Sequence, residues 1–385
     1  KYGKEYIIPS TFDPRLISVI PAAVAEAAMK SNVARKKITD LESYKDELAN
    51  RLDPSMSLMQ GINAKLRKNP KRVIFAEGED KNMLKAAIEF GKNKLGTPIL
   101  IGAEKRIKEQ LKSIGLEETF NIEIINSTNK EKREKYVKYL YKKLQRDGQL
   151  ERDVDRLVRN DRIAWGSSMI ACNDADAMVT GNIRHYAASI EKLKKVVAPR
   201  PGEAIFGMTM IISKGKTILV ADTNVEDFPS AERLVNISIS CVRVSRLFGF
   251  DPKVAFLSHS TFGKPVSRNT KHVRDAIELL KTKKVDFDFD GEMQPDVALN
   301  PIYNEIYPFS KIVGKANILI MPALHSAAIS TKLMKAFGGA KLIGPLLIGL
   351  GLPIEVAPLR SSTSDILNLA SIAGFSSDVI DYEKD

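Results

Sequence analysis

Two cysteines in 385 residues exclude a disulfide framework. Cys172 and Cys241 show no Cys-x-x-Cys or Cys/His spacing that would suggest a zinc site. Both sit in apolar patterns, which predicts buried thiols in a reducing, cytoplasmic setting. Histidine is equally scarce. His185, His259, His272 and His325 have no triad spacing, and each is expected to be a structural or surface residue. No apolar run reaches the roughly 18 to 20 residues that a membrane span needs. The longest, Leu342 to Ile354, is broken by Gly344, Pro345, Gly349, Gly351 and Pro353. Dinucleotide and Walker motifs are missing too: Gly349-Leu350-Gly351 lacks the third glycine, and Pro353 is wrong for a pyrophosphate helix. The chain thus shows no site of its own for NADP or ATP. It starts at Lys1 with no apolar signal segment after it, and we expect a piece of a longer polypeptide.

What is present is charge. The net charge is +12, from 59 basic and 47 acidic residues. Runs such as Lys130-Glu131-Lys132-Arg133-Glu134-Lys135 mix the two signs and read as solvated helix faces rather than a nucleic-acid surface. A basic surface also suits an anionic ligand such as a nucleotide or coenzyme A. The length predicts two or three domains at roughly 150 residues each.

Three stretches organise the chain. Up to about Leu66, two helices are expected: an apolar, buried one over 16–29, and a charged one over 37–52 with Ile38, Leu41, Tyr44, Leu48 and Leu52 at helical spacing. From Pro70, short apolar runs at 72–76, 98–101, 122–125 and 175–179 alternate with helical segments at 81–93, 104–114, 130–146 and 150–171. That alternation predicts a parallel sheet covered on both faces. After Pro199-Arg200-Pro201-Gly202 a second α/β unit follows, with strands at 216–221, 253–257 and 317–321 and helices at 230–247, 271–283 and 324–336. A Gly/Pro loop after Ile343-Gly344-Pro345 then leads to a final apolar helix, from Asp365 to about Ile372.

Two clusters invite a chemical reading. Leu257-Ser258-His259-Ser260-Thr261-Phe262-Gly263-Lys264 follows a strand and combines hydroxyls, a glycine and a lysine. Backbone amides there can hold a phosphate and Lys264 adds a point charge; a polar loop with a helix cap is the plainer alternative. Asp286, Asp288 and Asp290 before Gly291 match the first half of a calcium loop. The closing glutamate falls on Val297, however, and alternation with Phe287 and Phe289 fits a half-buried strand. No metal site is expected.

Several blocks occur in a fixed order: Ala221-Asp222-Thr223-Asn224-Val225, Pro229-Ser230-Ala231-Glu232-Arg233-Leu234, Lys253 to Ser260, Asp290 to Ala298, Gly314 to Pro322, and Gly344 to Gly349. This ordered set resembles the phosphate acetyltransferase (phosphotransacetylase) family over about residues 70–385. Tyr6-Ile7-Ile8-Pro9 with Phe12-Asp13-Pro14-Arg15-Leu16 resembles the end of the NAD(P)-binding domain of bacterial malic enzymes. Arg72 to Asp80 and Asp174 to Gly181 look like their counterparts in multidomain NADP-dependent malic enzymes, which carry a phosphotransacetylase-like C-terminal part. The resemblance implies an α/β, two-lobed phosphotransacetylase-like fold with parallel-type sheets and a helical N-terminal connector. The expected domains are 1–67 as the tail of the dinucleotide domain and linker, 68–200 plus 346–385 as lobe 1, and 201–345 as lobe 2.

The same resemblance implies acetyl-CoA, or a related CoA ester, as an allosteric effector, a homo-oligomer, and partnership with malic enzyme domains of the same polypeptide. NADP and a divalent metal would belong to that other part. Departures from the family pattern argue against catalysis here, and no catalytic residue is assigned. Aligned back from Ile366-Leu367, Pro358-Leu359 stands where phosphotransacetylases carry the Ser-Arg of a Leu-Ser-Arg-Gly motif, with Arg360 one residue away. Glu191 after Ile190 replaces a family arginine, and Leu144-Gln145-Arg146-Asp147-Gly148 replaces an Arg-Lys-x-Lys-Gly motif. Neither leucine nor glutamate can clamp phosphate as arginine does. A regulatory binding module, an active transferase and a purely structural oligomerisation domain are the competing roles. The expected acetyl-CoA site lies in the cleft between the lobes, at Ser258, Ser260, Thr261, Lys264, Gly344 and Arg360.

Overall fold

The structure is a computed structural model that describes residues 16–36, 38, 40, 41, 44, 48, 54–115, 122–126, 129–213, 216–266 and 268–380. The expected helix over 37–52 and the Tyr6 to Arg15 block fall largely outside the described residues. Two sheets form the frame. The first is wholly parallel. It joins β1 (Lys71–Phe75), β2 (Gly96–Ile101), β3 (Glu123–Ile125), β4 (Ala177–Gly181) and β11 (Ile354–Ala357) in the order β11-β4-β1-β2-β3. The second has six strands: β5 (Phe206–Ser213), β6 (Lys216–Ala221), β7 (Lys253–Leu257), β8 (Asp288–Met293), β9 (Ile318–Ile320) and β10 (Lys341–Ile348). Their order is β10-β5-β6-β9-β7-β8, with β10-β5 and β5-β6 antiparallel and the rest parallel.

Both sheets bury both faces, so their strands read as continuous apolar runs. Alternate residues go to different cores, as the two-residue strand period requires. Val73 and Phe75 of β1 join one core while Ile74 joins another. Val254 and Phe256 of β7 join the first core, and Ala255 and Leu257 join a third. The first core runs unbroken through both lobes: it holds Phe75 and Phe90 of one and Phe206 and Phe256 of the other.

On that core's side of the first sheet lie α3 (Lys81–Lys92) and α14 (Thr363–Val379). Asp80 starts α3 by accepting from the amides of Asn82 and Met83, at 3.1 and 2.9 Å. A Ser362/Asp365 capping box starts α14, worth about 1 kcal/mol. The opposite face carries α5 (Lys130–Leu144), α6 (Glu151–Asn160), α7 (Arg162–Ala171) and α8 (Tyr186–Val196) around Trp165 and Tyr136. The single helix expected over 150–171 is two, because the Asp161 carboxylate leaves the helix to cap Ile163 and Ala164. The second sheet is covered on one face by α9 (Ala231–Leu247) and α10 (Lys271–Thr282), and on the other by α11 (Pro295–Leu299) and α13 (Leu324–Ala336); the short α12 (Tyr303–Ile306) lies between these two in the chain. The helices left to introduce are α1 (Leu16–Lys30), α2 (Pro54–Lys68), which packs on α14, and α4 (Glu104–Ser113) after β2.

Several expectations change. The segment after Ile343 is not a loop: it forms β10 and β11, the former with a register shift at Gly344-Pro345. Gly344 has φ 115°, and a Cβ there would lie 2.9 Å from the Met208 carbonyl oxygen; only glycine fits that close approach. Helix α1 buries Ala22 but exposes Val19, Ile20 and Val24, so it is not the wholly buried helix expected. Cys241 is buried, whereas Cys172 is half-buried. Among the described residues no helix is long and apolar enough to cross a membrane.

Candidate functional site

Loops that leave the carboxyl ends of parallel strands are where open α/β sheets present ligand sites, above all where the strand order reverses. In the first sheet the reversal falls between β1 and β4. The loops there are Ala76-Glu77-Gly78-Glu79-Asp80 and Asn182-Ile183-Arg184, flanked by the turn Pro358 to Ser361 after β11. Glu77 is fully buried at the floor. Its carboxylate accepts from the Thr180 hydroxyl at 3.0 Å and the Gly181 amide at 2.9 Å, and lies 3.4 Å from the Arg184 guanidinium. Burial outweighs the nearby Arg184 and pushes its pKa up to about 7. Gly181 is required here: φ is 106° and an added Cβ would sit 2.3 Å from the Ala357 oxygen.

Around Glu77 the rim is closely bonded. Asn182 donates to Asp80 at 2.6 Å, and its side-chain oxygen is buried without a partner among the described residues. Asn82 donates to the Ser361 carbonyl at 3.0 Å, and the Arg360 amide to the Asn182 carbonyl, also at 3.0 Å. Arg360 is exposed with φ 60°. Pro358 and Leu359 precede it in the same turn. They offer no hydroxyl and no charge.

The second rim carries the loop from Ser258 to Lys264. The Ser258 and Ser260 hydroxyls are buried and 3.1 Å apart. Ser260 donates inward to Glu292 at 2.6 Å, and Arg274 meets the same carboxylate oxygen at 3.1 Å. Phe262 and Gln294 tie the loop to the end of β8 through the Glu292 carbonyl and the Thr261 hydroxyl. Thr261 and Lys264 exchange backbone bonds of 2.8 and 3.1 Å across the tip. Thr261 is half-buried and Lys264 exposed.

The six expected ligand residues therefore separate into three places. Thr261 and Lys264 face solvent on the second rim, while Ser258 and Ser260 brace the loop from inside. Arg360 stands on the first rim. Gly344 is built into β10, four strands from β7, or about 19 Å at the usual strand spacing. Glu77, Asn182, Arg184, Arg274 and Glu292 were not foreseen. The one local signal was an acid directly after the apolar run of β1.

The remaining candidates serve the fold. His272 bonds the Pro322 carbonyl at 2.9 Å, and His185, His259 and His325 are exposed. Asp286 pairs with Arg246, and Asp290 accepts from the Gly291 and Lys311 amides. Glu191 is exposed on α8, and Arg146 lies in a short 3-10 turn.

Two α/β lobes, each built on its own sheet, form the architecture of phosphotransacetylases. Solved structures agree. The EutD phosphotransacetylase from Staphylococcus aureus is 26% identical with a TM-score of 0.76, covering 83% of this chain and 98% of that one. A phosphotransacetylase from Streptococcus pyogenes is 27% identical with a TM-score of 0.77, over the same shares. The phosphate acetyl/butaryl transferase family matches residues 57–374, and the chain belongs to that family. Among curated relatives, the NADP-dependent malic enzyme of Rhizobium meliloti (strain 1021) is 44% identical over 376 residues, 97% of this chain and 49% of the relative. The phosphate acetyltransferase of Clostridium acetobutylicum is 30% identical over 326 residues, 82% of this chain and 97% of the relative. The chain thus spans about half the length of the malic enzymes it matches.

Proposed function

We propose that this chain is the regulatory part of an NADP-dependent malic enzyme, that it senses acetyl-CoA or a related CoA ester, and that it transfers no acetyl group itself. The observation that carries this reading is the first rim. Where the family pattern calls for serine and arginine stand Pro358 and Leu359, above a buried acid, Glu77. Proline and leucine can neither stabilise a developing charge nor activate a thiol. A carboxylate that is partly ionised near neutrality disfavours an acyl phosphate at the same spot.

Binding is a weaker demand than catalysis. Lys264 and Thr261 on one rim and Arg360 on the other supply the cations and donors that a polyanionic CoA moiety needs. Ser258 and Ser260 hold the loop in place. Oxidative decarboxylation of malate to pyruvate, NADP and a divalent metal would belong to the part of the longer protein not included here, in the cytoplasm. Self-association is supported by the outer face of the second lobe, where Ile329, Leu333 and Phe337 of α13 and the residue after it share one exposed side.

Two assays test the reading. A coupled thioester assay with acetyl phosphate and CoA is expected to give no turnover above background; turnover that scales with protein and vanishes in Arg360→Ala would overturn it. In the intact malic enzyme, Lys264→Glu with Arg360→Glu is expected to abolish the acetyl-CoA effect on malate turnover. An unchanged response in the folded double variant would move the site elsewhere.

A further inference from the structure

Three aromatic rings converge beside Lys264. Phe262, at the tip of the same loop, lies 5.1 Å from Tyr307 and 4.9 Å from Phe309, centroid to centroid, and Tyr307 lies 6.0 Å from Phe309. Their planes cross at 58° to 73°, the steep arrangement that aromatic rings favour over a face-to-face sandwich. Such a cluster normally fills a core. Here Phe262 and Tyr307 are only half-buried, and Phe309 is 65% exposed. Apolar surface left open and rimmed by polar residues marks a place where something binds.

The backbone sets the rings in advance. The Phe262 amide donates to the Glu292 carbonyl at 2.8 Å. The Tyr307 amide donates to the Tyr303 carbonyl at 2.8 Å, and the Tyr307 carbonyl accepts from the Ser310 amide at 3.0 Å. Pro308 stands between the two rings and restricts that turn further. Behind it, the Asn304 side chain donates to the Ile312 carbonyl at 2.8 Å and accepts from the Gly314 amide at 3.1 Å. A surface fixed in this way loses little freedom when a ligand lands on it.

The loop tip is open. A Cβ added to Gly263 would meet no atom of the described residues within 4 Å. Lys264 is exposed and follows Phe262 by two residues, at most about 7 Å along the backbone. A flat heteroaromatic ring suits the three rings, because stacking needs no side-chain hydrogen bond. A base joined to phosphates would at the same time set its anionic groups against Lys264. The face of α13 that supports self-association is of another kind, with two aliphatic residues, Ile329 and Leu333, beside Phe337.

We propose that, within the acetyl-CoA reading above, Phe262, Tyr307 and Phe309 form the platform on which the adenine base of the effector stacks, with Lys264 against the adjoining phosphates. The platform thereby selects a thioester that carries a nucleotide over the same thioester without one.

Calorimetric titration with acetyl-CoA and with S-acetyl-4′-phosphopantetheine, which lacks the nucleotide, tests this. Loss of one base–aromatic stack corresponds to about five- to 150-fold in affinity. Phe309→Ala, a change at an exposed side chain, is expected to weaken acetyl-CoA at least fivefold and to leave the shorter thioester unchanged. Phe309→Tyr is expected to bind both like the wild type. The light-scattering mass of Phe309→Ala is expected to match the wild type; a lower mass would make the triad a subunit contact and overturn the proposal. Acetyl-CoA binding that Phe309→Ala leaves intact, or weakens equally for both thioesters, would overturn the platform alone. Absence of acetyl-CoA binding by the wild type would overturn the acetyl-CoA reading together with it.

Discussion

The two lobes solve one problem with different thoroughness. Each hides a glutamate under its rim beside an arginine: Glu77 with Arg184 in the first, Glu292 with Arg274 in the second. Glu77 uses both oxygens, one for Thr180 and the other for Gly181. Glu292 gathers Ser260 and Arg274 on one oxygen and leaves the other buried without a partner among the described residues. The outer surfaces differ as well. Long helices cover the first sheet on both faces. The second sheet has one face under the short α11 and α13, and on that side of the lobe Phe309, Val313, Ile329, Leu333 and Phe337 are more than 60% exposed. Among the described residues, the second lobe thus leaves a wider apolar face exposed than the first.

The sharpest way to break this comparison is to remove the two acids. Glu77→Ala strands a hydroxyl, an amide and a guanidinium, and is expected to cost about 3 kcal/mol. Glu292→Ala is expected to cost about 2 kcal/mol, because the Arg274 side chain is 36% exposed and water can replace part of what it loses. Denaturant titration of both variants measures the order. A larger loss for Glu292→Ala would make the second rim the more tightly built.

A second test uses pH. Burial pushes Glu77 up to about 7 and Glu355, which accepts from the Leu347 amide, up to about 8. Both folded values exceed the unfolded one of about 4.5. The folded protein therefore holds more protons in this window, and stability falls as pH rises from about 4.5 to about 8. The loss is at most about 1.4 kcal/mol per pH unit for each group. Melting temperatures across that range are expected to decline. Glu77→Gln should roughly halve the slope between about 4.5 and 7, whereas Glu355→Gln should halve it there and also remove it between about 7 and 8. A profile that rises toward pH 8 would contradict the burial argument.

The smallest expected effect concerns the outer faces. Leu333→Asp with Phe337→Asp is expected to weaken self-association at least tenfold, about 1.4 kcal/mol, with folding unchanged. Light scattering across a concentration series reads it. A mass of one chain for the unsubstituted protein at micromolar concentration would leave the exposed face unexplained.

How legible was this in the sequence? Apolar runs such as Val73-Ile74-Phe75 and Val254-Ala255-Phe256 announced their strands, because burial on both faces leaves no polar alternation to confuse. β10 and β11 were read as a loop, since Gly344-Pro345 and Gly351-Leu352-Pro353 carry the residues of turns. Only the pairing of β10 with β5 makes a bulged strand of the first of them. Gly344 was drawn into the expected site by the same misreading. The hydroxyls of the 258–264 loop suggested an anion cradle, yet Ser260 is claimed by Glu292, 32 positions away. Glu77 lies about a hundred positions from Thr180 and Gly181, and no local pattern links them. Local patterns carried the strands and helices. The rims depend on long-range partners, and those emerge only on folding.

The most direct test of the central claim is a calorimetric titration of acetyl-CoA into this chain, run beside the Lys264→Glu/Arg360→Glu variant. The account predicts saturable binding that disappears in the folded variant. Absence of binding by the unsubstituted chain, or equal binding by both, would contradict it.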